Sequence, residues 1–289
     1  MSINYPIARN HPTLHAAPTF RPIRRGRRKQ GILREYKTEK GKLSVQMFYE
    51  LDIADQDLML AIFAIARAQT RGKIVEINDH TNEEKDLISK LELNLTGTED
   101  VPVHDMPCLR ITTTKYELLK EVGRSDNDAS YKWLKASLRR LGSISFYYEG
   151  EKWEGIFHMI GFNNLLGIGK FNIIINPISA YAIYADSMGY INIHREERHS
   201  LKNDIEKALH STLCGLINAG SSRSLYIDKL VKRVYADYDV VVPDIEIRKR
   251  RIKIKKAIEN ISKLDGWEIN IFGKGKTLMA KIKRKNIPQ

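Results

Sequence analysis

Residues 244–285 read DIEIRKRRIKIKKAIENISKLDGWEINIFGKGKTLMAKIKRK, and the fold prediction starts from this stretch. Its first half, up to about Leu264, has apolar residues at helical spacing and predicts a long amphipathic helix. The buried stripe of that helix is expected to consist of Ile247, Ile254, Ile258 and Ile261. Apolar and polar residues then alternate over 267–272 and 277–283, on either side of Gly273-Lys274-Gly275-Lys276, which predicts a β-hairpin with a basic tip.

The remaining surface of this helix is strongly basic. Its cations are Arg248, Lys249, Arg250, Arg251, Lys253, Lys255 and Lys256. Glu246 and Glu259 are too few to pair with all of them, so a solvated, ion-paired helix is the weaker explanation. We expect this helix to read DNA bases, and we expect the hairpin to lie against phosphate. The hairpin cations in this prediction are Lys274, Lys276 and Lys281.

The residues before this helix complete a recognisable order of elements. A helix is predicted around Leu209, because apolar residues recur there at helical spacing until Gly220 breaks the chain. Residues 225–235 predict a short helix that leads to the basic one. Helix, tight turn, basic helix and hairpin is the order of a winged helix-turn-helix.

The first half of the chain has a similar order. Capping-box spacing at Thr114 and Glu117 predicts a short helix that ends at Gly123. A second helix is predicted over about 126–141, and it carries a basic face of Lys132, Lys135 and Arg139. Strands are predicted over 143–148, 152–162 and 171–175.

We therefore predict an α+β fold made of two tandem winged helix-turn-helix domains. The N-terminal domain is expected to span residues 43–176 and the C-terminal domain residues 177–289. Residues 1–42 are rich in proline and arginine without a helical or alternating period, so we expect a basic, flexible, disordered N-terminal arm. Residues 73–105 predict only a small strand, a short helix and loops.

The charge of the chain is concentrated at its two ends. The formal net charge is +13, and residues 1–42 and 244–289 each carry +9, which leaves −5 for the rest. Two basic ends on a mildly acidic body indicate a polyanionic partner, with nucleic acid ahead of an acidic membrane. The arm is expected to follow a phosphate backbone through Arg24, Arg25, Arg27 and Arg28.

The sequence argues against several other classes of protein. No apolar run is long enough to span a membrane, and no secretion signal is recognisable, so we expect a cytoplasmic chain. The two cysteines, Cys108 and Cys214, cannot form a disulfide framework and are expected to be reduced.

Motifs for catalysis are absent from the sequence. Gly275-Lys276-Thr277 looks like the end of a phosphate-binding loop, but Asn270 stands where that loop needs its first glycine. His194 and His199 do not match a known metal-ligand spacing and are expected to be exposed at a helix start. We therefore predict no enzyme activity, no cofactor and no metal.

Five stretches carry a resemblance to a known family. They are Ala54-Asp55-Gln56-Asp57-Leu58, Ile175-Asn176-Pro177, Leu209-His210-Ser211-Thr212-Leu213-Cys214-Gly215, Arg248-Lys249-Arg250-Arg251 leading to Ala257, and Leu264-Asp265-Gly266-Trp267. In these stretches the chain resembles the RepC replication initiators of IncQ-type plasmids, over about residues 45–285 and most closely after Asn176. Residues 1–42 and 73–105 do not follow the pattern of that family, which leaves their role open.

The resemblance implies a plasmid replication initiator that binds direct-repeat iterons at the origin. Such initiators place one helix from each of two winged-helix domains in successive major grooves on one face of the DNA. Residues 244–256 and 130–139 are accordingly expected to read bases. The family further implies opening of adjacent AT-rich DNA and loading of the plasmid helicase and primase, without ATPase activity, and leaves self-association possible.

Two alternative functions use the same DNA-binding parts. A winged-helix transcriptional repressor binding an operator would read inverted half-sites as a dimer, whereas two such units in one chain suit direct repeats. A non-specific architectural or RNA-binding protein is the third choice, and the lack of aromatic clusters counts against stacking on single strands.

Overall fold

The computed structural model describes residues 3–17, 19–23, 28–38, 41–70, 94–97, 108–151, 153–162, 169–184, 189–236 and 241–286. Most of the region 73–105 and its expected elements lie outside these residues. The described helices are α1 Pro12–Ala16, α2 Ile53–Thr70, α3 Lys115–Glu121, α4 Asp128–Gly142, α5 Pro177–Tyr184, α6 Arg195–Ser200, α7 Asp204–Leu216, α8 Ile227–Tyr235 and α9 Asp244–Ile261. The described strands are β1 Ile7–Asn10, β2 Gln30–Thr38, β3 Gly41–Tyr49, β4 Asn94–Gly97, β5 Leu109–Thr114, β6 Ile144–Gly150, β7 Trp153–His158, β8 Ile160–Phe162, β9 Lys170–Ile175, β10 Ile191–His194, β11 Ser222–Tyr226, β12 Trp267–Phe272 and β13 Met279–Arg284.

The C-terminal part of the chain folds in the predicted order. α7, β11, α8, α9, β12 and β13 follow one another, and the three strands form an antiparallel sheet in the order β11-β13-β12. The register pairs Leu225 with Ala280, and both side chains are buried together with Ile282 on the same strand. β11 joins the predicted hairpin as a third strand, so the hairpin lies firmly beside the helices that precede it.

The first half repeats this order with α2, β5, α3, α4, β8 and β9. Its sheet has the order β5-β9-β8, and Ile160 of β8 pairs with Ile175 of β9. The continuous strand predicted over 152–162 is therefore wrong, because the chain leaves one sheet at His158 and enters another at Ile160. Met159 between them is buried, which fixes the turn in the core.

β6 and β7 form the predicted hairpin, but they belong to a separate sheet. That sheet has five described strands in the order β2-β3-β6-β7-β4. Residues 30–42, expected to belong to the flexible arm, instead supply β2 and the beginning of β3, where Val45 pairs with both Arg34 and Phe146. Leu43, Val45 and Met47 alternate toward the core, so burial on one face holds the register of this strand.

Residues 3–17 also differ from the flexible arm expected of them. β1 pairs antiparallel with β10, which is about 180 residues away along the chain. Ala8 is fully buried, and the side chain of Arg9 is stacked 3.8 Å from the ring centroid of Tyr190. The physical reason is non-local pairing, because four strand residues find their hydrogen-bonding partners only once the distant β10 is folded.

α2 is the central helix of the core. It is apolar on nearly every side, and Leu58, Ile62 and Phe63 are completely buried. Asp52 and Asp55 exchange backbone-to-carboxylate hydrogen bonds of 3.2 and 2.9 Å across its first turn, as expected for a cap and a first-turn acid. Among the described residues, no helix has the length and apolar character needed to cross a membrane.

Candidate nucleic-acid interface

α9 is half embedded and half projecting. Ile254, Ala257, Ile258 and Ile261 are buried against α7 and α8, whereas Ile247, the first member of the predicted stripe, is only partly buried. The N-terminal half therefore stands out from the body of the protein. Its first turn contains Asp244 and Glu246 behind Pro243, a composition that suits the positive end of a helix dipole.

Five of the seven predicted base-reading cations are exposed on this helix. They are Arg248, Lys249, Lys253, Lys255 and Lys256. Clustered positive charge on one projecting helix is the electrostatic footprint expected of a nucleic-acid-binding surface.

Arg250 and Arg251 have protein partners instead. Arg250 donates from Nε to Glu246 at 3.0 Å and lies 4.3 Å from the ring centroid of Tyr235. Arg251 donates from Nε and Nη2 to the two carboxylate oxygens of Asp228, and this hydrogen bonding raises the pKa of Arg251. These two arginines tie α9 to its own first turn and to α8, so they orient the helix that carries the exposed cations.

The hairpin after α9 forms a wing with a glycine-dependent tip. Gly273 has φ +83°, and a Cβ placed there would lie 2.5 Å from the carbonyl oxygen of Thr277. Gly275–Thr277 forms a single 3₁₀ turn between β12 and β13, so the hairpin interpretation of Gly275-Lys276-Thr277 is confirmed. Lys274 and Lys281 are exposed, and the side chain of Lys276 lies outside the described residues.

α4 carries the second set of predicted cations. Lys132 and Arg139 are exposed, and Lys135 is half-buried. Asn127 caps the helix by accepting a 2.9 Å hydrogen bond from the backbone of Ser130. The adjacent Arg140 serves packing, because it donates at 2.7 to 3.2 Å to both oxygens of Asp55 on α2.

The arm cations divide into two groups. Arg24, Arg25 and Arg27 lie outside the described residues. Arg28 differs from the expected phosphate contact, because its guanidinium bonds Asp52, Asp55 and the backbone carbonyl of Glu50. Carboxylates placed around a half-buried guanidinium hold it in the fold.

A basic groove lies between the N-terminal segment and α9. Its volume is about 800 Å³. It is lined by Arg21, Pro22, Ile23, Lys29, Asn203, Asp204, Ile205, Glu206, Tyr235, Glu246, Arg250, Lys253, Lys256 and Ala257. Ile23 and Lys29, which flank the arginine-rich segment of the arm, thus lie beside the basic helix.

Buried ion pairs connect the two halves of the chain. Arg195 of α6 donates to Glu121 of α3 at 2.7 Å, and both side chains are buried. Arg198 of α6 donates to Asp57 of α2 at 2.5 Å and to Gln56 at 2.9 Å. The sequence did not predict this network, since only His194 and His199 of this segment were considered and both were expected to be exposed. Part of its signal was the resemblance stretch Ala54-Asp55-Gln56-Asp57-Leu58, which supplies the Gln56 and Asp57 side chains that Arg198 binds.

Charge complementarity keeps this junction ionised. Burial would raise the pKa of Asp57, but the charges of Arg198 and Lys207 outweigh it and leave the pKa lowered. Lys207 donates to the second carboxylate oxygen at 2.7 Å. The paired charges fix α2 of the first half against α6 and α7 of the second, and with them the positions of α4 and α9.

A further buried cluster lies where α7 meets β12. His210 Nε2 is 2.8 Å from Glu197, and the Trp267 indole donates to the same carboxylate oxygen at 3.0 Å. Burial would lower the pKa of His210, but Cys214 and Glu197 raise it to about 9. His194 and His199, expected to be exposed, are half-buried on either side of the buried Arg195 and Arg198. Both cysteines are free and buried, as predicted.

Within the described part of the chain, no group of three or more His, Cys, Asp or Glu side chains could hold a metal ion.

Two isoleucines of the basic helix, which were given no role from the sequence, are exposed. Ile245 and Ile252 are 67% and 68% exposed. Their signal was present in the sequence, because both fall on the side of α9 opposite its buried stripe.

Comparison with known families gives a match over nearly the whole chain. The family model described as replication protein C (RepC) matches residues 3–283. No curated protein gives a significant match.

Two solved structures share the overall fold. A crystal structure of domains 2 and 3 of RctB, as a selenomethionine derivative, has a TM-score of 0.56 at 8% identity, covering 96% of this chain and 99% of that one. A second crystal structure of RctB domains 2-3 has a TM-score of 0.54 at 7% identity, covering 95% and 97%. The Pi initiator protein in complex with iteron DNA has a TM-score of 0.44 at 13% identity, covering 79% and 93%. The likeness to the RctB domains shows a shared mixed α and β fold.

Proposed function

The chain belongs to the replication protein C (RepC) family, and from this premise we propose that it is a plasmid replication initiator that binds direct-repeat iterons at the origin. The observation that carries the proposal is that the N-terminal half of α9 projects from the protein, and that α9 bears five exposed cations and is followed directly by a basic wing. This is the arrangement by which a winged helix enters a major groove and grips the adjacent backbone.

We propose that the protein contains two tandem winged-helix domains, with the boundary near residue 176. The order of helix, strand, helix, helix, strand and strand occurs twice, and each copy has its own three-stranded sheet. The first copy differs by the insertion of β6 and β7, which join β2 and β3 in another sheet.

The contacts divide by position on each unit. Arg248 and Lys249 lie on the projecting part of α9 and are assigned to base edges, where an arginine fork matches guanine O6 and N7. Lys274 and Lys281 of the wing are assigned to phosphate. In the first unit, Lys132 and Arg139 on α4 are the candidates for the second groove.

Direct repeats fit this chain better than an inverted operator. The two units are unlike in their insertions, and the buried pairs of Arg195 and Arg198 hold them in one fixed relation. Two unlike DNA-binding units in one chain are not related by a two-fold axis, so the binding site that suits them is a direct repeat rather than an inverted one.

Equilibrium binding across a salt series tests the proposal. The ligands are a duplex with one direct repeat from the replicon that encodes the chain and a scrambled duplex of the same composition. We expect a preference of about a thousandfold or more for the repeat at physiological salt. Equal, steeply salt-dependent affinity for both duplexes would reduce the protein to a non-specific nucleic-acid binder.

Variants of α9 sharpen that experiment. Arg248→Ala and Lys249→Ala should each weaken binding to the repeat duplex by about 1–3 kcal/mol and should weaken binding to the scrambled duplex less. Lys263→Ala is the matched control, since it removes an exposed cation just beyond the other end of the helix. Equal losses on both duplexes would assign the two cations to phosphate only. A preference for an inverted pair of half-sites would favour a transcriptional repressor.

Origin opening is a later step that we also propose for this protein. Several copies bound to adjacent iterons would bend the DNA and favour melting of a neighbouring AT-rich segment, after which the plasmid helicase and primase are loaded. Binding energy alone drives these steps in this proposal, without nucleotide hydrolysis. Permanganate reactivity of thymines next to the iterons, measured with and without the protein and without ATP, checks it; no added reactivity would refute this step while leaving iteron binding intact.

A further inference from the structure

The projecting part of α9 exposes two large apolar side chains. Ile245 and Ile252 are 67% and 68% exposed, and they are seven residues apart on one face of the helix. At 100° per residue they lie about 160° to 180° around the axis from Ile254, which is completely buried. Neither isoleucine contributes to the core, so packing among the described residues does not explain them.

Exposed cations surround this apolar pair. Arg248, Lys249 and Lys256 all lie within about 60° of the line that joins the two isoleucines. A second copy of the chain would bring the same positive charges face to face, which disfavours self-association through this stripe. Two side chains are also too little apolar surface for a membrane contact of any strength. The surroundings instead fit a partner that is anionic overall and presents small apolar groups.

We propose that Ile245 and Ile252 are specificity-determining residues that pack against the C5 methyl groups of thymines in the major groove. The inference rests on the proposed function of α9 as a reading helix. The thymine methyl is the apolar group that base edges present in that groove. Leaving large apolar side chains in water at the centre of a binding face is favourable only if binding covers them.

The spacing of the two isoleucines predicts a pattern in the site. Seven residues of α-helix span about 10.5 Å, and B-DNA rises 3.4 Å per base pair along each strand. The two contacted thymines should therefore lie about three base pairs apart when the helix runs along the groove. Arg248 and Lys249 lie between the isoleucines, which places a guanine contact between the two thymines.

Replacing thymine by deoxyuracil tests the proposal, because it removes only the methyl group. Each thymine of the repeat duplex is replaced in turn, and the affinity of the full-length protein is measured at fixed salt. The wild-type protein should lose about fourfold in affinity at two positions, three base pairs apart. Ile252→Ala should bind the unmodified repeat about fourfold more weakly and lose nothing further at one of those positions, with its salt dependence unchanged.

Control variants separate this contact from general effects. Leu33→Ala removes a side chain that is 65% exposed on β2, in a sheet other than that of the wing. This variant should still lose affinity at both uracil-substituted positions. Ile245→Ala should lose the uracil effect at the other position. Since both isoleucines are exposed, the urea midpoints of the variants should equal that of the wild type.

The outcomes distinguish this inference from the function on which it rests. If the wild type prefers the repeat but no uracil replacement changes its affinity, the methyl contact is refuted and the initiator proposal stands. If Ile252→Ala weakens thymine and uracil duplexes equally at every position, the side chain contacts something else, such as a second copy, and the inference also falls. If the wild type shows no preference for the repeat, both the function and the contact are wrong.

Discussion

Arg198→Met is expected to cost this protein a large part of its stability. The side chain of Arg198 is 1% exposed and donates to Asp57 at 2.5 Å, to the backbone carbonyl of Lys207 at 2.6 Å and to Gln56 at 2.9 Å. Methionine fills a similar volume without donors. The variant therefore leaves the Asp57 carboxylate with Lys207 as its remaining charged partner and strands two acceptors inside the junction.

The magnitude follows from the burial of the pair. Removing one partner of a buried ion pair costs about 3–5 kcal/mol, because the other charge is left in a medium that solvates it poorly. For a chain of this size that loss lowers the melting temperature by about 6–20 °C. Arg251→Met is the matched control, since it breaks an arginine–aspartate pair that is 23% and 36% exposed. An exposed pair of this kind is worth less than about 1 kcal/mol.

Urea unfolding followed by tryptophan fluorescence measures both variants. Trp267 is buried beside the junction and reports its loss. The free energy of unfolding should fall for Arg198→Met with a slope close to that of the wild type, and it should change little for Arg251→Met. Equal losses in the two variants would refute the argument that buried ion pairs, rather than apolar contacts alone, hold the two halves together.

Three further predictions concern the wing and a buried histidine. The double variant Lys274→Ala and Lys276→Ala should weaken binding to repeat and scrambled DNA alike and lower the slope of log affinity against log salt by about two. An unchanged slope would show that the wing does not contact the DNA. Gly273→Ala should lower the free energy of unfolding by more than Gly275→Ala, because a Cβ at position 275 has nothing within 4 Å. The left-handed backbone at Gly273 alone should cost about 1–2 kcal/mol. A null result for Gly273→Ala in urea melts would contradict the steric argument. His210 has a folded-state pKa raised to about 9, so its stabilising contribution is complete below pH 6.5 and is lost as the pH rises to about 9. The wild type should lose stability across that window and His210→Gln should lose much less, as measured by urea unfolding at several pH values, whereas parallel pH profiles would show that the histidine is neutral when folded.

The parts of the fold that the sequence predicted are those determined by local patterns. α9 and its hairpin were predicted within a few residues, because isoleucine periodicity, alternation and the tip glycines all lie within 42 consecutive residues. The short helix after Thr114 was found for the same reason, and its cap is present, with the threonine hydroxyl accepting from Glu117 at 3.0 Å. Local signals of this kind need no knowledge of distant partners.

The errors arose where distant segments pair. β1 was taken for part of a flexible arm because its partner β10 begins at Ile191, and four residues carry too little periodicity to identify a strand. The strand predicted over 152–162 passes between two sheets at Met159 without a glycine or proline to mark the change. Arg28 was assigned to phosphate because sequence charge does not show which cations meet a buried carboxylate, here Asp55.

In the candidate interface, too, local sequence patterns predicted some features, whereas others depend on contacts between distant segments. The sequence was enough to predict that α9 is a basic helix. It did not show which of the cations are exposed and which pair with protein groups, because that depends on α8, where Asp228 binds Arg251. Burial of Ile254 fixed which side of the helix faces outward, and so revealed Ile245 and Ile252 as part of the exposed face. The predicted buried stripe left both residues out, but the sequence alone assigned them no role.

Three of the five stretches that carried the family resemblance contribute buried polar contacts. Asp57 and Gln56 bind Arg198, His210 binds Glu197, and Asn176 donates to the backbone carbonyl of Met159 at 2.9 Å. None of these side chains lies on α9 or its wing, and the contacts of Asp57 and Gln56 with Arg198 fix one half of the chain against the other. If the protein reads direct repeats with two unlike units, as we propose, it has no symmetry axis to set the distance between its reading helices. Buried polar contacts, which lose much of their energy when they are misaligned, would then set that distance instead.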